Sequence, residues 1–205
     1  MWMRISQFLS ILFPLSEDEK HIVHHTPETF LKLYTCRKVN DVWTLSSFRQ
    51  KEIRSAVHLS KFHNHTHAQK LLGKLLTVFL DRYTATDTAI LIPVPLSSVR
   101  KRKRGHNQVA SVLSQTTFDT SRFTLAASLL VKVRDTKPQT SLKKKERKKN
   151  LQGAYVYVAD PHLPVAGKHL ILIDDVTTTG TTLAEAKWAL KRANPASILC
   201  VAIAH

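Results

Sequence analysis

The residues best suited to chemistry lie in one run near the C-terminus, Ile171-Leu172-Ile173-Asp174-Asp175-Val176-Thr177-Thr178-Thr179-Gly180-Thr181-Thr182. Adjacent carboxylates repel in a dry pocket, so Asp174 and Asp175 point to partners such as sugar hydroxyls or a divalent cation. After Val176, the residues Thr177, Thr178, Thr179, Thr181 and Thr182 surround Gly180. Short side chains let backbone N–H groups approach a phosphate, Gly180 can supply a positive φ, and a following helix N-terminus adds partial positive charge. A loop that holds a phosphate beside acids that hold a diol describes a ribose 5-phosphate site. The competing reading, acids that cap a turn and solvent-facing threonines, leaves the density of the run without a reason.

Such a run needs elements to position it. Leu170 to Ile173 reads as a continuous apolar strand, and open α/β sheets place ligand crevices at the C-terminal ends of their strands. Ala89 to Pro93 is a second short apolar run, stopped by Pro93 and Pro95 as a buried parallel strand would be. Val42 to Phe48, Leu129 to Val133, Ala154 to Val158 and Ser197 to Ile203 also read as strands. Helical spacing covers Ile53 to Lys61, His67 to Arg82, Gly105 to Ser114 and Thr181 to Ala193. Thr26-Pro27-Glu28 is a helix start, Met1 to Pro14 is roughly helical and apolar, and Ser141 to Leu151 reads as a basic helix capped by Ser141. The alternation predicts an α/β fold, a parallel sheet flanked by helices. A chain of 205 residues with 43% hydrophobic content suffices for one such domain plus a small N-terminal appendage.

Charge is regional. Residues 97–150 hold 15 Lys/Arg against three acids, so +12 of the formal +16 lies there. That field attracts polyphosphate, nucleic acid or acidic lipid, whereas a merely solubilising surface mixes both signs. The longest apolar N-terminal stretch is broken by Ser and Gln and ends at Pro14, so no bilayer span is expected; without a cleavage site or a positive n-region, neither is a signal peptide. The expected location is the cytoplasm, with the inner face of the membrane as the alternative through Met1 to Phe13, a stretch better suited to packing on the domain. Cys36 and Cys200 form no CxxC pair and read as buried small apolar residues.

The acid pair and its loop resemble the phosphoribosyl-pyrophosphate signature of type I phosphoribosyltransferases. Four further motifs occur in the order seen in the ComF competence family, over about residues 40 to 205. They are Ile92-Pro93-Val94-Pro95-Leu96, Arg104-Gly105-His106-Asn107-Gln108, Arg134-Asp135-Thr136-Lys137-Pro138-Gln139 and Glu146-Arg147-Lys148-Lys149-Asn150-Leu151. The second motif usually carries Phe where this chain has His106. Many members begin with a four-cysteine zinc module, whereas only Cys36 stands there here, so no zinc is implied. The resemblance divides the chain into N-terminal helices and a hood over 1–82 and a phosphoribosyltransferase-like domain over 83–205. It implies Mg²⁺ bound with 5-phosphoribosyl-1-pyrophosphate, a link to DNA uptake, and, as partners, single-stranded DNA, a competence helicase and a second copy of the chain. A DNA-binding competence factor that does not turn over is the alternative to an enzyme.

On this reading Asp174 and Asp175 position the ribose hydroxyls and stabilise developing positive charge, and Val176 to Thr182 hold the 5-phosphate. The turn containing Pro95 and Leu96 lies near the pyrophosphate, with Arg104 and Arg147 as bidentate clamps. Asn107, Gln108, Gln139 and Asn150 give polar support, although Asn107 and Gln108 suit helix capping equally. Arg100, Lys101, Arg102 and Lys103, with Lys143, Lys144, Lys145, Lys148 and Lys149, would meet pyrophosphate or a nucleic-acid backbone. His58, His63, His65 and His67 lack an acid or cysteine nearby in sequence, so no protein-only metal site is expected. Lys61-Phe62 matches a family position without an evident role, and core packing is the expected place of Trp188.

Overall fold

Residues 16–84, 88–135 and 152–205 are described, from a computed structural model. Four strands form the parallel centre of the main sheet: β2 (Val42–Ser46), β3 (Ala89–Pro93), β7 (His169–Val176) and β8 (Ser197–Ala204). At one edge β4 (Phe123–Leu125) joins parallel to β3, and at the other β1 (Arg37–Val39) closes the sheet antiparallel to β2. The strand order is β1-β2-β8-β7-β3-β4. β2 thus comes from the first 82 residues yet lies in the same sheet as β7.

Strand alternation divides the core between two faces. Leu91, Ile171, Ile173, Val201 and Ile203 face the N-terminal helices, where Phe30, Ile53, Leu72 and Leu76 are buried with them. These helices are α1 (Glu17–Ile22), α2 (Pro27–Leu31), α3 (Lys51–Phe62) and α4 (Thr66–Asp81), joined on that face by α6 (Gln108–Leu113). Ile90, Ile92, Leu170, Leu172 and Cys200 face the other way, onto Leu183, Ala186 and Leu190 of α7 (Thr181–Lys191).

Register sets the site. Pro93 pairs with Ile173, and the Val94 N–H donates to the Ile173 carbonyl at 2.8 Å, so the turn after β3 begins beside Asp174. Val176 pairs with Ala204, and the Thr177 N–H donates to the Ala204 carbonyl at 3.0 Å, which fixes where the threonine loop leaves the sheet.

Several sequence expectations change. Leu129 to Val133 and Ala154 to Val158 do not enter the parallel sheet; β5 (Leu130–Lys132) and β6 (Tyr155–Tyr157) make a separate antiparallel ribbon. Each buries one side only, leaving Val131 and Val156 exposed, so no second layer is available to cover them as central strands. The helix expected over Gly105 to Ser114 is split. Its first residue, Gly105, ends a separate helix, α5 (Ser98–Arg104), at φ 82°, and Asn107 starts α6. Trp188 is not in the core: it is 52% exposed, with the Arg192 guanidinium over its ring at 4.5 Å. Cys200 is buried and Cys36 half-buried. The helices expected over Met1 to Pro14 and Ser141 to Leu151 fall outside the described residues. Among the described residues no helix is long and apolar enough to cross a membrane.

Candidate active site

Asp174 and Asp175 close β7, both buried. Successive strand residues face opposite ways, so the two acids meet different surroundings. Asp175 Oδ2 accepts from Lys61 Nζ at 2.7 Å and from Gln108 Nε2 at 3.2 Å, while its Oδ1 accepts from the Val176 N–H at 2.7 Å. Asp174 Oδ1 accepts from the Asp175 N–H at 2.9 Å, and its charge is felt on the other side by Lys132 and Tyr155. Burial, reinforced by the neighbouring Asp175 charge, raises the Asp174 carboxyl above the usual range. Burial acts on Asp175 as well, but the Lys61 ammonium and the backbone donor outweigh it and hold that carboxyl low. The pair therefore divides its labour: Asp175 carries the charge, and Asp174 tends to keep a proton.

Lys61, without an evident role by sequence, is here the ion partner of an acid 114 positions away. Its only signal is a place at the polar end of an amphipathic helix, which says nothing about what lies opposite. Gln108 bonds the acid directly, and Arg104 Nη1 donates to Gln108 Oε1 at 2.6 Å. The Arg104 guanidinium also sits 5.3 Å from the Phe62 ring centroid, on the residue that follows Lys61. Arg104 thus reaches the acids through Gln108. Asn107 takes the other role: its Oδ1 caps α6 by accepting from the Val109 and Ala110 N–H groups, and its Nδ2 donates to the Val94 carbonyl at 3.0 Å. It holds the turn of Pro95 and Leu96, both half-buried, against the start of α6. His106, with ring nitrogens at 3.1 Å from the Arg104 carbonyl and 2.8 Å from the Ser60 carbonyl, ties the junction of α5 and α6 to α3.

Lys132 is a second residue to which sequence reasoning assigns no site role. Burial lowers its ammonium to about 8, with Arg100 adding to the effect and Asp135 and Asp174 opposing it. A lysine flanked by Val131 and Val133 in a strand is the available hint. Arg100 is half-buried and Lys101, Arg102 and Lys103 are exposed on α5, directly after the Pro95–Leu96 turn. Gln139, Lys143, Lys144, Lys145, Arg147, Lys148, Lys149 and Asn150 lie outside the described residues.

The loop from Thr177 to Gly180 delivers the chain into α7. The Thr177 hydroxyl accepts from the Gly180 N–H at 3.1 Å, and the Thr179 and Thr181 hydroxyls are 2.7 Å apart. Gly180 sits at the helix N-cap with φ 73°, where no side chain caps the helix. The first-turn N–H groups of an α-helix lack intrahelical partners, which makes this end of α7 receptive to an anion. A Cβ at Gly180 would meet only ordinary contacts, the nearest at 3.7 Å from Val42 Cγ2, so the constraint there is the backbone angle itself. Gly180→Ala should therefore cost about 1 kcal/mol of stability. It should also weaken phosphate binding as the loop relaxes, which denaturant melts and phosphate titration would read separately.

A mostly parallel sheet with an acid pair at a strand end and a threonine-glycine loop opening a helix defines a phosphoribosyltransferase-type domain. A family model described as "Phosphoribosyl transferase domain" matches residues 70–205, and the chain belongs to that family, in its ComF branch. Its relatives include "DNA utilization protein YhgH" of Salmonella typhimurium, 33% identical over 149 residues (69% of this chain, 62% of the relative), and "Competence protein F" of Haemophilus influenzae, 32% identical over 137 residues (64% and 58%). The chain spans about three-fifths of the length of these two. Among solved structures, the orotate phosphoribosyltransferase of Mycobacterium tuberculosis superposes with a TM-score of 0.41 at 14% identity, covering 90% of this chain and 81% of that one. A phosphoribosyltransferase of Corynebacterium diphtheriae gives 0.38 at 15%, covering 91% and 80%.

Proposed function

We propose that the chain binds 5-phosphoribosyl-1-pyrophosphate and transfers its phosphoribosyl group. The observation that carries this reading is the acid pair at the end of β7, with Asp175 held ionised by Lys61, running straight into the Gly180 loop at the N-terminus of α7. In the transfer, the bond from the anomeric carbon to pyrophosphate breaks and its electron pair leaves with pyrophosphate, while a lone pair of the acceptor forms the new bond. Catalysis is then chiefly electrostatic. Asp175 accepts from a ribose hydroxyl and stabilises positive charge at the sugar, Asp174 holds the neighbouring hydroxyl, and the loop and helix terminus hold the 5-phosphate. Lys61 offsets the Asp175 charge and Asp174 tends to keep its proton, so a dianionic pocket does not have to be desolvated. Lys132 and the α5 cations draw the pyrophosphate end.

The donor set fits Mg²⁺ in part: the carboxylates are hard oxygen ligands, but Asp175 Oδ2 already accepts from Lys61 and Gln108. Asp174 and Asp175 would be the residues to approach Mg²⁺ brought in with the ligand, and the ion would offset the charge of the leaving pyrophosphate. Titration calorimetry with phosphoribosyl pyrophosphate and Mg²⁺ should give saturable heat, and none at millimolar ligand would overturn the reading.

A second activity is compatible with the first. Lys101, Arg102 and Lys103 stand exposed on α5 at the lip of the same site, and the relatives' names tie them to DNA utilization and competence. We propose that this face binds single-stranded DNA. Replacing Lys101, Arg102 and Lys103 by Gln should flatten the plot of log affinity against log salt by about 0.7 for each phosphate no longer neutralised. An unchanged slope in fluorescence anisotropy would place DNA elsewhere or nowhere.

A further inference from the structure

The histidines of the α3–α4 junction acquire an acid through the fold. Glu19 of α1 lies against them, and one ligand atom from each of Glu19, His58 and His63 falls within 4.8 Å of the others. We infer that Glu19, His58 and His63 bind a divalent transition-metal ion, Zn²⁺ or one of similar softness, that ties α1 to the end of α3.

The ligand types suit such an ion, since imidazole and carboxylate are what borderline cations take. The carboxylate is already oriented: Glu19 Oε2 accepts from the Ser16 N–H at 2.8 Å and the Ser16 hydroxyl at 3.0 Å, while Oε1 faces His58 Nδ1. A ligating carboxylate pinned through its second oxygen is the usual outer-shell arrangement around bound metals. Both histidines are fixed at the backbone, His58 inside α3 and His63 as its C-cap, where its N–H donates to the Leu59 carbonyl at 3.0 Å. With bonds of about 2.0–2.2 Å, ligands around tetrahedral zinc lie about 3.4 Å apart. Glu19 Oε1 and His58 Nδ1 lie closer than that and part to admit an ion, while the His63 ligand atom, within 4.8 Å of both, closes in; shifts of about an ångström are within reach of side-chain torsions. Glu19 is buried and His58 is 52% exposed, so the site opens to solvent on one side, where water or another ligand completes the shell. Lys61 follows His58 by three residues on α3, so the ion would stiffen the helix end that presents Lys61 to Asp175.

The simpler reading is a hydrogen-bonded Glu19–His58 pair with His63 merely adjacent. His63→Ala separates the two, because it leaves that pair intact. The full chain without a polyhistidine tag, stripped with chelator, would be titrated with Zn²⁺ against a chromophoric competitor. We expect stoichiometric uptake at micromolar or tighter affinity and a higher melting temperature. Affinity should fall at least about 100-fold in His63→Ala and in Glu19→Gln and stay unchanged in His65→Ala and His67→Ala. Because this readout is zinc uptake, it is independent of whether the acid pair binds phosphoribosyl pyrophosphate. Wild-type protein that takes up no stoichiometric zinc, or His63→Ala protein that binds it as tightly as wild type, overturns the proposal.

Discussion

Asp175→Asn should lower affinity for phosphoribosyl pyrophosphate by roughly 10- to 100-fold, the equivalent of one charge-assisted hydrogen bond. The same substitution leaves the Lys61 ammonium without its 2.7 Å partner in a pocket where its side chain is only 23% exposed. Removing one member of a buried pair destabilises more than removing both, so Asp175→Asn should cost about 2 kcal/mol, discounted for the partial exposure of Lys61. Adding Lys61→Met should restore much of that stability and none of the affinity. The double-mutant cycle, with denaturant melts on one axis and calorimetry on the other, separates damage to the fold from damage to ligand recognition. If the double variant regains both, Asp175 serves the fold and not the ligand.

Asp174→Asn should act in the opposite sense on stability. Its carboxyl is raised above the usual range by burial and by Asp175. Between the ordinary carboxylate value and the raised one, the folded protein holds a proton that the unfolded chain has released. The associated stability is present at low pH and is lost as pH rises through the folded value. An amide has no such proton to lose. The wild type should therefore lose stability from weakly acidic towards alkaline pH while Asp174→Asn stays flatter, melting higher than wild type at pH 8 by about 2–4 °C for each kcal/mol regained. Ligand affinity should fall less in this variant than in Asp175→Asn, since the amide keeps an oxygen that accepts from a hydroxyl. Melting curves that run parallel from pH 5 to pH 8 would show that Asp174 is charged throughout.

Together these outcomes describe a site that costs the fold something to keep: two acids at the end of one strand are tolerable because one of them is paired and the other tends to stay protonated.

The acid pair and its loop were legible because they are local. An apolar strand, two carboxylates and a threonine-glycine turn lie within 12 consecutive residues, and a strand end followed by a helix start is decided by near neighbours. Among the central strands, β3, β7 and β8 were legible for the same reason, as short apolar runs with Pro or Gly close by, and β2 by its β-branched and aromatic residues. The ribbon of β5 and β6 was not, since a three-residue apolar strand reads alike in a central sheet and in a side ribbon until its covering layer is known. Trp188 misled because one-sided burial of α7 depends on which of its faces meets the sheet.

What the sequence determined by itself is the run of acids and threonines from Asp174 to Thr182 and the concentration of positive charge over residues 97–150. Only the tertiary structure decided who attends those groups. Lys61 and Gln108 reach Asp175 from helices 114 and 67 positions away, and Glu19 reaches His58 across 39. Such partners are chosen by strand register and helix packing, where one lysine or glutamate among many is brought within a hydrogen bond of a particular acid or imidazole. No local pattern marks them beforehand, because the energy that selects them is that of burying the elements they ride on.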